Sequence, residues 1–151
     1  MQHNSNRKRE YPPMHTVEHI LNQTMVRMFG CSRSYNSHIE RKKSRCDYTV
    51  SSAPTGEQVQ AIEDKVNSVI AQELPVTSKM ITLDEAKELV DLSKLPDNVS
   101  DTIRVVSVGN YDTCACIGDH VENTAEIGRF RITTHNYHEG RWRVRFKIED
   151  K

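Results

Sequence analysis

At 151 residues, with 36% hydrophobic and 28% charged side chains, the chain has the size of one domain, and no apolar run approaches the ~20 residues that a membrane span needs. Lysine plus arginine equal aspartate plus glutamate at 21 each, so no net field draws a polyanion to the whole surface, and nucleic-acid binding requires local patches. The amino-terminal MQHNSNRKREYPP carries charge without a following apolar stretch, unlike a signal peptide, which predicts a cytoplasmic protein whose four cysteines are thiols or metal ligands rather than disulfides.

Residues 1–10 have almost nothing to bury and read as a flexible basic tail, with Arg7, Lys8 and Arg9 available to phosphates; residues 11–151 read as one domain. Met14, Val17, Ile20, Leu21, Met25 and Met28 follow helical spacing between Pro12-Pro13 and Gly30, which predicts a first helix over 14–29. Tyr35, Ile39, Cys46, Tyr48 and Val50, set among polar residues, suggest a hairpin with one half-buried face. Thr55 with Gln58 forms a capping box before the stripe Val59, Ile62, Val66, Val69, Ile70, giving a second long helix over 56–73. After Pro75 a short strand leads to a second capping box, Thr82 with Glu85, opening a helix that carries Leu83, Ala86, Leu89 and Val90; Pro96 and Asn98 mark a loop. Strands follow at 104–108, 111–116, 129–133 and 141–148, the last alternating Trp142, Val144, Phe146, Ile148 with Arg141, Arg143, Arg145, Lys147. Helices early and strands late imply an α+β fold.

His15 and His19, four apart on the first helix, lie about one turn apart on one face, so both imidazoles can reach a single ion. In a chain with seven histidines that pair alone is weak. Cys116 and His120 repeat the spacing at the end of a predicted strand, with Gly118 between them supplying turn freedom. Together they make a tetrahedral set of three nitrogen donors and one sulfur, which favours zinc over the oxygen-seeking magnesium or calcium. Such an ion closes a loop of about a hundred residues and so restricts the unfolded chain. Cys31 and Cys46 read as small core or turn residues; Cys114, two before Cys116, reads as an outer partner or a substitute ligand.

His15-Thr16-Val17-Glu18-His19 also fits H-x-x-E-H, the inverted zinc-peptidase motif in which the glutamate beside a ligand histidine activates water. That reading needs a third, usually acidic, ligand. Glu63, Glu73, Glu85 and Glu88 are available, but nothing singles one out, and Cys116-x-x-x-His120 goes unexplained. Glu18 otherwise reads as a solvent-facing helix residue.

In order, the segments HTVEHIL (15–21), RCDY (45–48), AIEDKVN (61–67), LPV (74–76), RVVSVGNYDTC (104–114), CIGDHVENT (116–124), EIGRFRI (126–132) and the closing basic strand resemble the second additional domain of alanyl- and threonyl-tRNA synthetases and the free-standing alanyl-tRNA editing proteins. The resemblance implies an antiparallel sheet packed with two long helices and linked by zinc on His15, His19, Cys116 and His120. It implies hydrolysis of the ester between a mischarged amino acid, serine or glycine on alanine tRNA in the alanyl type, and the tRNA's terminal ribose, with backbone contacts to substrate around Gly118. The length leaves no room for an adenylate-forming module, so a complete aminoacyl-tRNA ligase is not expected.

Three departures put the substrate in question and leave as an alternative a zinc- and RNA-binding module of the same fold without hydrolysis. Asp119 stands where the alanyl type has threonine and the threonyl type proline, Cys114 stands where an acidic residue is common, and T-G-E-I-G becomes Thr124-Ala125-Glu126-Ile127-Gly128. Asp119 is therefore the candidate that binds the substrate amino group or hydroxyl, or caps the following turn. Ser34 or Ser37 is the candidate reader of a substrate hydroxyl, with an ordinary surface-loop serine as the plainer description. An aminoacyl ester is reactive, so positioning water and stabilising the oxyanion suffice, although four protein ligands resemble a structural rather than an open catalytic zinc site. For RNA, Arg33, Arg41, Lys42, Lys43 and Arg45 cluster in the hairpin, and Arg141, Arg143, Arg145 and Lys147 share one strand face.

Overall fold

Pro12 and Pro13, whose missing N–H groups cost nothing in a first turn, open helix α1 (Pro12–Phe29), and Gly30 ends it in the left-handed conformation, φ 65°, donating its N–H to Val26 O. The computed structural model describes residues 11–85, 102–116 and 118–149; the basic tail and the residues Ala86, Leu89, Val90, Pro96 and Asn98 lie outside them. Met14, Val17, Ile20, Leu21 and Met25 are fully buried. Met28 is 40% exposed, so the expected stripe runs out one turn before the helix does. Strands β1 (Asn36–Ile39) and β2 (Ser44–Thr49) form the expected hairpin. Helix α2 (Gly56–Ala71) begins with the Thr55–Gln58 capping box, both bonds present, and buries Ile62, Val66, Val69 and Ile70. The chain continues through β3 (Val76–Thr82), β4 (Thr102–Val108), β5 (Asp112–Ala115), a 3-10 turn at Thr124–Glu126, β6 (Arg129–His138) and β7 (Arg141–Glu149). Thr82 and Glu85 exchange the bonds of the second capping box.

The fold is α+β with antiparallel strands, and these divide into two sheets, one in the order β1-β2-β7-β6 and one in the order β3-β4-β5. Register decides the faces of the larger sheet. Cys46, Tyr48, Trp142, Val144, Phe146 and Phe130 point inward to a core shared with α1 and α2, while Arg45, Asp47, Arg141, Arg143, Arg145 and Lys147 occupy the opposite face. Edge strand β6 is covered by side chains of α2: Asn67 both donates to Phe130 O and accepts from Phe130 N, and Glu63 accepts from Ile132 N. Thr124 fastens the segment after β5 to the end of α2, donating to Ile70 O and accepting from Leu74 N. Among the described residues no helix is long and apolar enough to cross a membrane.

Candidate metal centre

Because α1 places His15 and His19 one turn apart and the chain leaving β5 doubles back over them, four donor side chains converge: His15, His19, Cys116 and His120 each offer a ligand atom, all within 4.8 Å of one another. The ring centroids lie 5.3 Å apart for His15–His19, 4.6 Å for His15–His120 and 4.7 Å for His19–His120. Cys116 Sγ is 3.3 Å from His120 Nε2 and 3.7 Å from His15 Nε2. A tetrahedral zinc with its usual N and S bond lengths spaces its donors about 3.3–3.6 Å apart, so the set fits that ion.

The Nδ1 side of each ring has a polar neighbour of its own. His15 Nδ1 lies 3.2 Å from the Asp119 carbonyl, which accepts its proton. His120 Nδ1 lies 3.4 Å from Thr16 Oγ1. That hydroxyl donates to Pro12 O at 2.9 Å and accepts from Val121 N at 3.1 Å, so it ties the ligand loop to the first turn of α1. Thr16 is fully buried and was not singled out by periodicity or spacing. His19 Nδ1 lies 2.9 Å from Cys114 Sγ, 3.4 Å from Arg33 and 3.9 Å from Asp112, leaving Nε2 for the cluster.

Burial, then the charges of His120, His15 and Arg33, holds His19 well below the ordinary histidine range, and burial with His15 and Arg104 lowers His120 to about 3. Both are neutral donors at neutral pH. Burial opposes charge on His15 too, but Cys116 and Glu18 outweigh it and raise His15 to about 9. The cluster therefore accepts one positive charge, as a proton or as a metal ion that competes with it.

Behind His19, Asp112 accepts two bonds from Arg33, at 2.8 and 3.1 Å, and one from Gln23 at 3.1 Å, and its side chain is 1% exposed. His19, Asp112 and Cys114 also have metal-ligating groups within 4.8 Å of one another. Burial, and then Asp112, pushes the Cys114 thiol up, while Asp112 keeps Arg33 charged against its own burial. The guanidinium expected to face RNA is thus committed to Asp112.

Gly118 matters for space rather than for turn freedom: a Cβ built on it would fall well inside contact with the His15 ring. Its N–H points to Cys116 Sγ at 3.4 Å and its carbonyl accepts from Arg104 at 2.8 Å. Glu18, expected to face solvent, is half-buried with Oε1 3.7 Å from His15 Nε2. Asp119 is exposed, and it meets the cluster through its backbone carbonyl. Ser34, the expected surface-loop residue, is fully buried and donates to Asn36 O at 2.8 Å, while Ser37 is exposed. Arg143 makes two bonds to Asp47, at 2.8 and 2.9 Å, on the sheet face away from α1. For the peptidase reading, the Glu63 and Glu85 carboxylates accept from the backbone N–H groups of Ile132 and Thr82, and among the described residues neither they nor Glu73 joins a group able to hold a metal; Glu88 lies outside them.

Fold and centre together define an α+β domain with a three-histidine, one-cysteine cluster between its first helix and the turn after β5. Residues 103–145 match the family model described as the threonyl and alanyl tRNA synthetase second additional domain. Similar curated proteins include the alanine-tRNA ligase of Oceanobacillus iheyensis, 36% identical over 78% of this chain and 14% of the relative. Those of Fervidobacterium nodosum, 34% identical over 80% and 14%, and Streptococcus pneumoniae, 33% identical over 85% and 15%, are also similar. The chain belongs to the threonyl and alanyl tRNA synthetase second additional domain family. It spans about one seventh of the length of these relatives.

Proposed function

We propose that this chain is a tRNA-editing hydrolase that binds zinc on His15, His19, Cys116 and His120 and cleaves the ester of mischarged alanine tRNA, with serine or glycine as the amino acid removed. The observation carrying this reading is the convergence of two neutral imidazoles, a third imidazole and a thiol within 4.8 Å, each ring turned by a partner on its far side, in a chain of this family. Zinc bound there supplies a fixed positive charge for anchoring or polarising a substrate group. The chain's own groups do the rest. In this reading Glu18, half-buried beside His15, holds a water proton or the substrate ammonium, and the exposed carboxylate of Asp119, the residue before His120, meets the substrate amino group or hydroxyl. Arg104 and Cys116 hold both polar groups of Gly118 beside His15. An activated ester needs no stronger nucleophile than a positioned water.

The test is release of amino acid from seryl-, glycyl- and alanyl-tRNA for alanine and from seryl-tRNA for threonine by zinc-loaded protein. Serine leaves the alanine tRNA fastest and alanine is spared, because a small site with a polar group rewards a hydroxyl over a methyl. Failure to hydrolyse any of the four overturns the assignment, and cleavage of a peptide library in their place points to the H-x-x-E-H chemistry.

A further inference from the structure

The outer face of the β1-β2-β7-β6 sheet, turned away from α1 and the donor cluster, gathers positive charge that a chain balanced at 21 acids and 21 bases has no general reason to gather. Across β2 and β7 the register sets Arg45 directly opposite Arg145, a like-charge pair in mid-sheet, with His38 on β1 next to Arg45. Along β7 the row Arg141, Arg143, Arg145, Lys147 advances about 6.8 Å per step, near the spacing of successive phosphates on a nucleic-acid strand. Arg131 on β6 extends it beside Lys147. Acids answer part of it: Glu40 pairs with His38, Asp47 makes two bonds to Arg143 and also acts on Arg141, and Glu149 sits 3.8 Å from Arg131 and 3.9 Å from Lys147. Among the described residues Arg45, Arg141 and Arg145 make no ion pair, and the Nε atoms of Arg45 and Arg141 are buried without a hydrogen-bond partner. Water and salt screen such repulsion in part, and an anion from outside relieves it further.

We infer that this face binds the sugar-phosphate backbone of tRNA, as a surface separate from the donor cluster. The inference rests on the tRNA reading above. The chemistry favours RNA over an anionic membrane. The face presents Thr49, Thr134 and Asn136 beside its arginines, and among the described residues it exposes no large aliphatic side chain, whereas interfacial membrane binding needs buried apolar area. Exposed Tyr35, close enough to act on Arg143, supplies one flat ring for a base.

The test compares the parent chain with Arg45→Gln/Arg145→Gln and with Lys79→Gln, a charge removed from β3 of the other sheet. Binding of uncharged alanine tRNA and of phosphatidylserine vesicles is measured across salt concentration. Removing two phosphate contacts lowers tRNA affinity by about tenfold or more and reduces the slope of log K against log salt by about two, while Lys79→Gln changes neither. Tm of the double variant stays equal or rises, since a repulsion is removed. Hydrolysis of 3′-O-seryl adenosine, too short to reach the sheet, keeps its parent rate. Parent-like tRNA affinity and slope in the double variant overturn the proposal, as does binding of vesicles but not tRNA by the parent. If no aminoacyl ester is cleaved by any form yet the double variant loses tRNA affinity, the editing reading falls and this surface stands.

Discussion

The two sides of the His19 ring present the same kinds of donor to opposite ends. On the Nε2 side stand His15, Cys116 and His120; on the Nδ1 side stand Asp112 and Cys114. Both sets have the spacing of a metal site, yet only the second contains its own cation, since Arg33 makes two bonds to Asp112. A guanidinium that satisfies the carboxylate removes the charge and the lone pairs that an ion would need. The first set has no such fixed cation; the charge it accepts is a proton on His15 or an ion that displaces it. Donor proximity is thus not sufficient, and what separates a metal centre from a buried polar network is whether the positive charge already belongs to the protein.

The largest effect that tests this contrast is loss of a donor from the first set. Cys116→Ala or His120→Ala lowers zinc affinity by more than about 100-fold, beyond what loss of an outer partner costs, and lowers Tm, because the ion joins α1 to the distant turn after β5. Metal analysis and thermal melting with and without a chelator check it. Zinc retained at one per chain in both variants would rule out the cluster as the zinc site. Next comes Asp112→Asn, which leaves Arg33 buried without its counter-ion and costs about 3 kcal/mol of stability. Zinc bound per folded chain falls far less than in Cys116→Ala. If the two variants lose metal equally, the Nδ1 side is a ligand set rather than a support.

Much of this contrast was legible in the sequence on one side and not on the other. The H-x-x-x-H and C-x-x-x-H spacings are local, because a helix turn and a tight turn each fix where residues four apart must point. The capping box at Thr55 and the alternation of 141–148 are local in the same sense. The Arg33–Asp112 pair joins residues 79 apart, and no spacing encodes a partner that only tertiary packing supplies. For the same reason the sequence offers Arg143 to RNA without showing that Asp47 bonds it, and Ser34 reads as a surface residue although it is buried with bonds to Asn22 and Asn36. Gly118 was legible as a turn residue, but its reason is the His15 ring above it. The stripe of α1 predicted burial of Met28, which depends on where the neighbouring sheet ends and not on period.

A smaller effect belongs to Cys114, which faces His19 Nδ1 where an acceptor orients the ring. Cys114→Ala removes that acceptor and weakens zinc by about 10–100-fold, the usual cost of losing an outer partner, without changing the number of ions bound at saturation. Cys114→Asp restores affinity if acceptance of the His19 proton is what matters, because a carboxylate accepts better than a thiol. Competition with a chromogenic chelator measures both. An alanine variant with parent affinity shows that Asp112 orients the ring unaided.

Asp119→Thr carries the smallest structural effect and the most pointed chemical one. The side chain is exposed while its backbone carbonyl receives the His15 proton, and the substitution keeps that carbonyl. Stability therefore moves by less than about 0.5 kcal/mol, and zinc affinity stays at the parent value. Serine-to-alanine discrimination is a separate quantity. A carboxylate that touches the substrate ammonium stabilises serine and alanine alike, so its loss slows both esters equally and the ratio holds. One that accepts from the serine hydroxyl stabilises serine alone, and its loss shrinks the ratio toward that of an apolar site. Single-turnover deacylation of seryl- and alanyl-tRNA by parent and variant separates the two roles. Unchanged rates on both esters, with a lowered Tm, would instead make Asp119 a cap on the turn that leads to His120.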